Sequence, residues 1–295
     1  MKLGQLVGRV LGIIVLSLLI SLAIAFVAAV VARMSGVTSA VDFLNMLDKW
    51  FPIVSGFSLL VGVFVFAYFL DEIDIFNLIR LKRGWGVELF VGLLLGIVVP
   101  LGAFMLSIHL GHVSIRVFVW DNLLSGFLWS LLVLTLGALA EELFFRGYII
   151  SHWRGRMWWA ILFSSLVFAI MHFPKISSLF SFADILLAGI VLALMYIWSD
   201  RLWMPIGFHF AWNMMIPVTT GRSMFHEGIM LLNYYPNAWV SYWWLIDLGA
   251  LLLGLFVARW FLRLTGKECP LTGELSSTLA HTARDHSVDS ERIEE

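Results

Sequence analysis

Two adjacent carboxylates, Glu141 and Glu142, stand inside the apolar run from Leu123 to Ile150, and Arg146 follows four residues after the second. An ionisable side chain at the centre of a bilayer costs about 2.5–3.5 kcal/mol on insertion scales, so three in one run call for a compensating role. The spacing of four lets Glu142 and Arg146 face each other as an ion pair. Glu141 points about 100° away on a 3.6-residue turn and stays available to a cavity. Two further apolar runs carry polar groups at the same spacing. Phe168 and His172 share a helix face, with Pro174 discouraging further helix, and His209 shares a face with Asn213. Carboxylates and imidazoles act as general acids and bases, and imidazole and carboxamide N–H groups can donate to a developing oxyanion. Each group alone has an ordinary reading: a juxtamembrane charge cluster, an interfacial histidine, or interhelical hydrogen bonding. Together, two carboxylates, two imidazoles and an amide exceed what packing ordinarily requires.

The elements that must position these groups are transmembrane helices. Of 295 residues 61% are hydrophobic and 13% charged, a balance that no soluble domain of this length covers with polar surface. A helix needs about 20 apolar residues to cross the hydrocarbon core, and that ruler finds eight spans, at 10–32, 52–70, 87–109, 123–150, 157–173, 183–199, 203–220 and 241–263. The expected fold is thus an all-α integral membrane protein of about eight transmembrane helices around an intramembrane polar cavity. The spans lack strand alternation, which argues against a barrel. Residues 1–265 read as the polytopic domain and 266–295, rich in Ser, Thr and charge, as a polar tail without a fold of its own. The segment 71–80 spaces apolar residues at helical intervals among charges, as in a helix lying at the interface. Gly92-x-x-x-Gly96 is a small-residue pattern that permits close helix packing.

With eight spans, twelve basic residues fall on the side of the N-terminus and five on the other, which places both termini in the cytoplasm. The run after Lys2 and Arg9 is longer than a signal-peptide core and reads as a retained first helix. A formal net charge of −1 without a basic stripe excludes nucleic acid as a partner and leaves the lipid bilayer. Cys269, the single cysteine, supports neither a disulfide nor a cysteine metal site. His109 and His112 at the outer end of the third span, and the pair His226–Glu227 in an outer loop, read as interfacial residues. No G-x-S-x-G, H-E-x-x-H, P-loop or dinucleotide fingerprint is present.

The ordered trio E-E-x-x-x-R at Glu141, Glu142 and Arg146, F-x-x-x-H at Phe168 and His172, and H-x-x-x-N at His209 and Asn213 resembles the CPBP family of intramembrane proteases. That family includes the type II CAAX prenyl endopeptidases and bacterial relatives linked to bacteriocin maturation and self-immunity. The resemblance covers roughly residues 120–215, and it implies an eight-helix membrane fold and peptide-bond hydrolysis at a site reached from the cytoplasm. Its substrates would be membrane-associated peptides or lipidated proteins, and its location the inner membrane of a bacterium. In the roles it implies, Glu141 and His172 position and deprotonate water, His209 and Asn213 stabilise the oxyanion, and Glu142 with Arg146 fixes the helix. The preferred reading uses no cofactor. A zinc alternative would take Glu141, His172 and His209 as ligands, with water in the fourth position and Glu142 as base. A transporter or proton relay, and a non-enzymatic immunity protein on the same fold, are the competing readings. Depth poses one difficulty: counted from Met157, His172 lies about 22 Å along its helix, whereas His209 is only two turns into its own.

Overall fold

In the computed structural model the described residues are 2–36, 39–72, 79, 83–111, 113–118, 123–153, 156–173, 176, 178–220, 230–234 and 243–266. All eight expected runs fall on α-helices. These are α1 (Leu3–Met34), α2 (Ala40–Val65), α3 (Trp85–His109), α4 (Leu123–Glu142), α5 (Met157–Met171), α6 (Leu179–Ser199), α7 (Trp203–Thr220) and α8 (Trp243–Leu264). Two helices change pitch rather than stop: α2 continues as a π-helix over Phe66–Leu70 and α4 as one over Leu143–Ile150.

Five helical stretches are long and apolar enough to cross a membrane, Leu3–Met34, Val41–Leu70, Trp85–His109, Leu124–Ile150 and Leu179–Ser199, the mark of a multi-pass integral membrane protein. Three of the eight expected spans, α5, α7 and α8, are not among these five, and for the first two the reason is visible. Helix α5 has only 15 residues, a rise of about 22 Å against a hydrocarbon core of about 30 Å. Helix α7 carries His209, Asn213 and Pro217 among its 18 residues, so the site itself lowers its apolarity. Side chains such as Leu22 and Phe26 on α1 are 66% and 71% exposed, which is stable where the surrounding medium is hydrocarbon.

A feature missed in the sequence is a two-stranded antiparallel ribbon, β1 (Val113–Phe118) with β2 (Met230–Tyr234), irregular between Ile115 and Val117. Its strands lie between spans and are too short for alternation to speak. The expected interfacial helix at 71–80 falls largely outside the described residues, as do His112, His226–Glu227, Cys269 and the segment 267–295.

Two packed cores meet along α6 and α7. One gathers α1, α2, α4 with its π extension, and α5, through Ile13, Val63, Phe144, Tyr148, Ile161 and Phe168. The other joins α3, α6, α7 and α8 through Val99, Met195, Met204, Phe208 and Leu262. The closest pairing is α3 with α7. A Cβ on Gly92 would stand 2.2 Å from the Met204 carbonyl oxygen, one on Gly96 2.5 Å from that of Phe208, and one on Gly207 2.5 Å from that of Leu89. Only hydrogen fits between these backbones, which is the use the Gly92-x-x-x-Gly96 pattern serves. At the mouth of this pair Trp85 contacts Trp203 with ring centroids 4.7 Å apart, and Arg201 bridges Glu88 at 3.3 Å. The turn into α7 is set by Asp200 at φ 55°, a left-handed conformation that Asp tolerates better than most residues, and by Ser199 Oγ donating to the Arg201 carbonyl at 2.8 Å.

Candidate active site

Helix α4 delivers Glu141 and Glu142 at its last two residues, and the π segment that follows presents Arg146. Pitch changes of this kind concentrate at functional sites because they redirect side chains without ending the helix. Arg146 Nη1 donates to Glu142 Oε1 at 2.7 Å, and both side chains are fully buried. Burying such a pair requires further partners, since desolvation otherwise outweighs the attraction. Two are supplied. Arg146 Nη2 donates to the Gly189 carbonyl at 3.1 Å, and the guanidinium lies 4.7 Å from the centroid of Phe168 and 5.6 Å from that of Phe145. Gly189 permits this because α5 crosses it closely: a Cβ there would stand 3.0 Å from Ser165 Cβ.

The second carboxylate has a different environment. Glu141 Oε2 lies 3.7 Å from His172 Nε2 and 3.8 Å from His209 Nε2, and the Glu141 side chain is 28% exposed against 0% for Glu142. The other nitrogen of each imidazole is engaged. His172 Nδ1 lies 2.8 Å from the Phe168 carbonyl oxygen, and His209 Nδ1 lies 2.8 Å from Glu142 Oε1. Carbonyl and carboxylate oxygens only accept, so Nδ1 carries the proton in both rings and each Nε2 is turned toward Glu141. Phe168 organises both rings, with centroids 4.4 Å from His172 and 5.9 Å from His209.

The structure thus brings together five of the six sequence candidates, Glu141, Glu142, Arg146, His172 and His209, from three helices. Asn213 is half-buried one turn beyond His209 and makes no hydrogen bond among the described residues. The depth difficulty is met because α5 is short and ends at the site: His172 terminates it, its N–H returning to the Phe168 and Ala169 carbonyls. Three features escaped the sequence reading. They are the bond between His209 and Glu142, the Gly189 acceptor, and Gly207, the one glycine of the α3–α7 contact outside the Gly92-x-x-x-Gly96 pattern. A glycine inside a helix costs about 1 kcal/mol relative to Ala, and that cost was the available signal.

Among the described residues no group of three His, Cys, Asp or Glu is arranged to hold a metal ion. The separations of 3.7 and 3.8 Å are a few tenths of an ångström wider than the about 3.4 Å between ligand atoms on tetrahedral zinc bonds of about 2.0–2.1 Å. Two imidazole nitrogens beside a carboxylate are nonetheless the donor types zinc takes, so Glu141, His172 and His209 would be the residues to hold it, and the ion would supply a more acidic bound water. The grooves described in the structure lie elsewhere, beside α1.

A multi-pass helical membrane protein with a buried carboxylate–arginine pair and a second carboxylate between two imidazoles is the class that fold and site define. Residues 122–215, about a third of the chain, match the family described as type II CAAX prenyl endopeptidase, Rce1-like, so the chain carries a domain of that family. The match spans α4 to the middle of α7 and contains all six candidates. Comparison with curated proteins and with solved structures found no match.

Proposed function

We propose that this protein is an intramembrane endopeptidase of the CAAX type, cleaving peptide bonds in membrane-associated or lipidated substrates with Glu141 as general base. The observation that carries the reading is the convergence of His172 Nε2 and His209 Nε2 on one Glu141 oxygen, with Glu142 already committed to Arg146. Acceptor atoms 3.7 Å apart suit a water that donates one hydrogen to each, which is the arrangement a general base requires. Water attacking a peptide carbonyl gives up its proton to the pair Glu141–His172 while its oxygen bonds to the carbonyl carbon. The proton is then available to the leaving amine.

Charge counting favours the same direction. Two carboxylates against one guanidinium leave the cluster one negative charge in excess, which the abstracted proton neutralises as negative charge moves to the tetrahedral oxyanion. His209 can donate to that oxyanion through Nε2 only when its ring holds two protons, a form in which the two carboxylates, the guanidinium and the imidazolium sum to zero before the proton is abstracted. The Asn213 carboxamide is a neutral second donor on the same helix. A polar cavity around Glu141, access from the cytoplasmic side and a bacterial inner-membrane location with both termini in the cytoplasm complete the reading, on the basic-residue distribution and the family match.

The test is cleavage of lipidated and unlipidated reporter peptides by the purified protein in detergent, followed by mass spectrometry. Wild type should cut, and Glu141→Gln should lose activity by at least about 10²-fold with its melting temperature unchanged. Substrate-driven proton flux in liposomes without cleavage would instead establish a transporter.

A further inference from the structure

Two grooves border the N-terminal end of α1. One, of about 520 Å³, runs along Gly8 and Gly12 against Phe66 and reaches Arg9 and Asp71. The other, of about 490 Å³, is bounded by Lys2, Leu3, Trp153 and Arg156. Gln5 lines both, so the two adjoin at that side chain as a two-part depression.

Its two ends differ in chemistry. At the polar end Lys2 and Arg156 are exposed, and neither has an ion-pair partner among the described residues. Trp153 is half-buried against Phe163, the placement of a ring at a membrane–water boundary. Arg9 is 32% exposed and pairs with Asp71 at 3.3 Å. Three cations against one carboxylate leave the depression two positive charges in excess. Toward the membrane the lining becomes hydrocarbon and open backbone: a Cβ on Gly8 would meet nothing within 4 Å, and Gly12 is closed only by the Phe66 ring. From Lys2 to Gly12 is ten residues, about 15 Å of helix, half the thickness of the hydrocarbon core. Helix α1 itself is peripheral, with Leu11, Val15 and Leu19 more than half exposed, so the groove opens to lipid.

We propose that this depression is a binding site for an anionic phospholipid, the phosphate held by Lys2, Arg156 and the exposed part of Arg9 and an acyl chain lying over Gly8 against the Phe66 ring that covers Gly12. The occupant would touch a polar node shared with the active-site helix. Asp71 pairs with Arg9, accepts from the Tyr148 hydroxyl of the π segment, and lies 3.6 Å from His152 Nε2. The assignment is independent of the proteolytic reading.

Native mass spectrometry of the delipidated full-length protein, titrated with phosphatidylglycerol or phosphatidylcholine, tests it. The expected result is one saturable site preferring phosphatidylglycerol. The combined Lys2→Gln and Arg156→Gln variant should bind about 25-fold more weakly, about fivefold for each charge at a membrane surface. Gly8→Leu, which fills the chain path and leaves every charge in place, should also abolish the site. Thermal melting in neutral detergent checks that both variants fold. Equal retention of the two lipids, wild-type affinity in the charge variant, or displacement of phosphatidylglycerol by millimolar inorganic phosphate would each overturn the proposal.

Discussion

Replacing Gly92 by Ala adds one methyl group where α3 meets α7, and its consequence can be worked from the backbone. The new Cβ would stand 2.2 Å from the Met204 carbonyl oxygen and 2.9 Å from the Phe208 nitrogen, both backbone atoms that cannot rotate away. Restoring ordinary contact requires the helices to part by about 1 Å, and overpacking of this kind costs about 1–3 kcal/mol. Phe208 immediately precedes His209. A shift of α7 of that size would disturb the 2.8 Å bond from His209 Nδ1 to Glu142. A misplacement of about 1 Å can lower turnover by about 10²-fold. Peptide cleavage measured beside thermal melting in detergent reads both effects. Gly86→Ala and Gly102→Ala are the controls, because they sit on the same helix and a Cβ at either meets nothing within 4 Å. They should keep activity and be neutral or slightly stabilising, as Ala favours a helix over Gly. If Gly92→Ala melts and turns over like these controls, then the close backbone approach is not what seats His209.

Other substitutions separate the two carboxylates. Glu142→Ala leaves a fully buried guanidinium without its counter-ion and should destabilise the protein by about 3–5 kcal/mol, read as a fall in melting temperature, whereas Glu141→Gln should not. Phe168→Ala removes the ring against Arg146, His172 and His209 and should cost about 3–5 kcal/mol, with Phe168→Leu recovering much of it in the same melting assay. Cleavage should persist after dialysis against EDTA and phenanthroline, and loss of activity restored by zinc alone would refute the metal-free mechanism.

The sequence by itself determined the helices and the identity of the reactive groups. Lipid imposes a length and an apolar composition on any span, so all eight runs could be read from residue order. The intramembrane cost of Glu141, Glu142 and Arg146 marked them as special without any coordinates. Spacing of four foretold the Glu142–Arg146 pair because both residues ride on one helix. The partners supplied from other helices were illegible: the imidazole of His209 on Glu142, the Gly189 carbonyl on Arg146, and the approach of His172 and His209 to one oxygen of Glu141. Those depend on where α5 stops, on how α4 changes pitch after Glu142, and on how closely three glycines let α7 lie against α3. Such distances are products of packing, fixed by the volumes of side chains far apart in the sequence. Charge and order in a membrane sequence identify which groups require partners, and only the tertiary structure decided that Glu142 is tied through one oxygen to Arg146 and His209 while Glu141 faces two imidazoles.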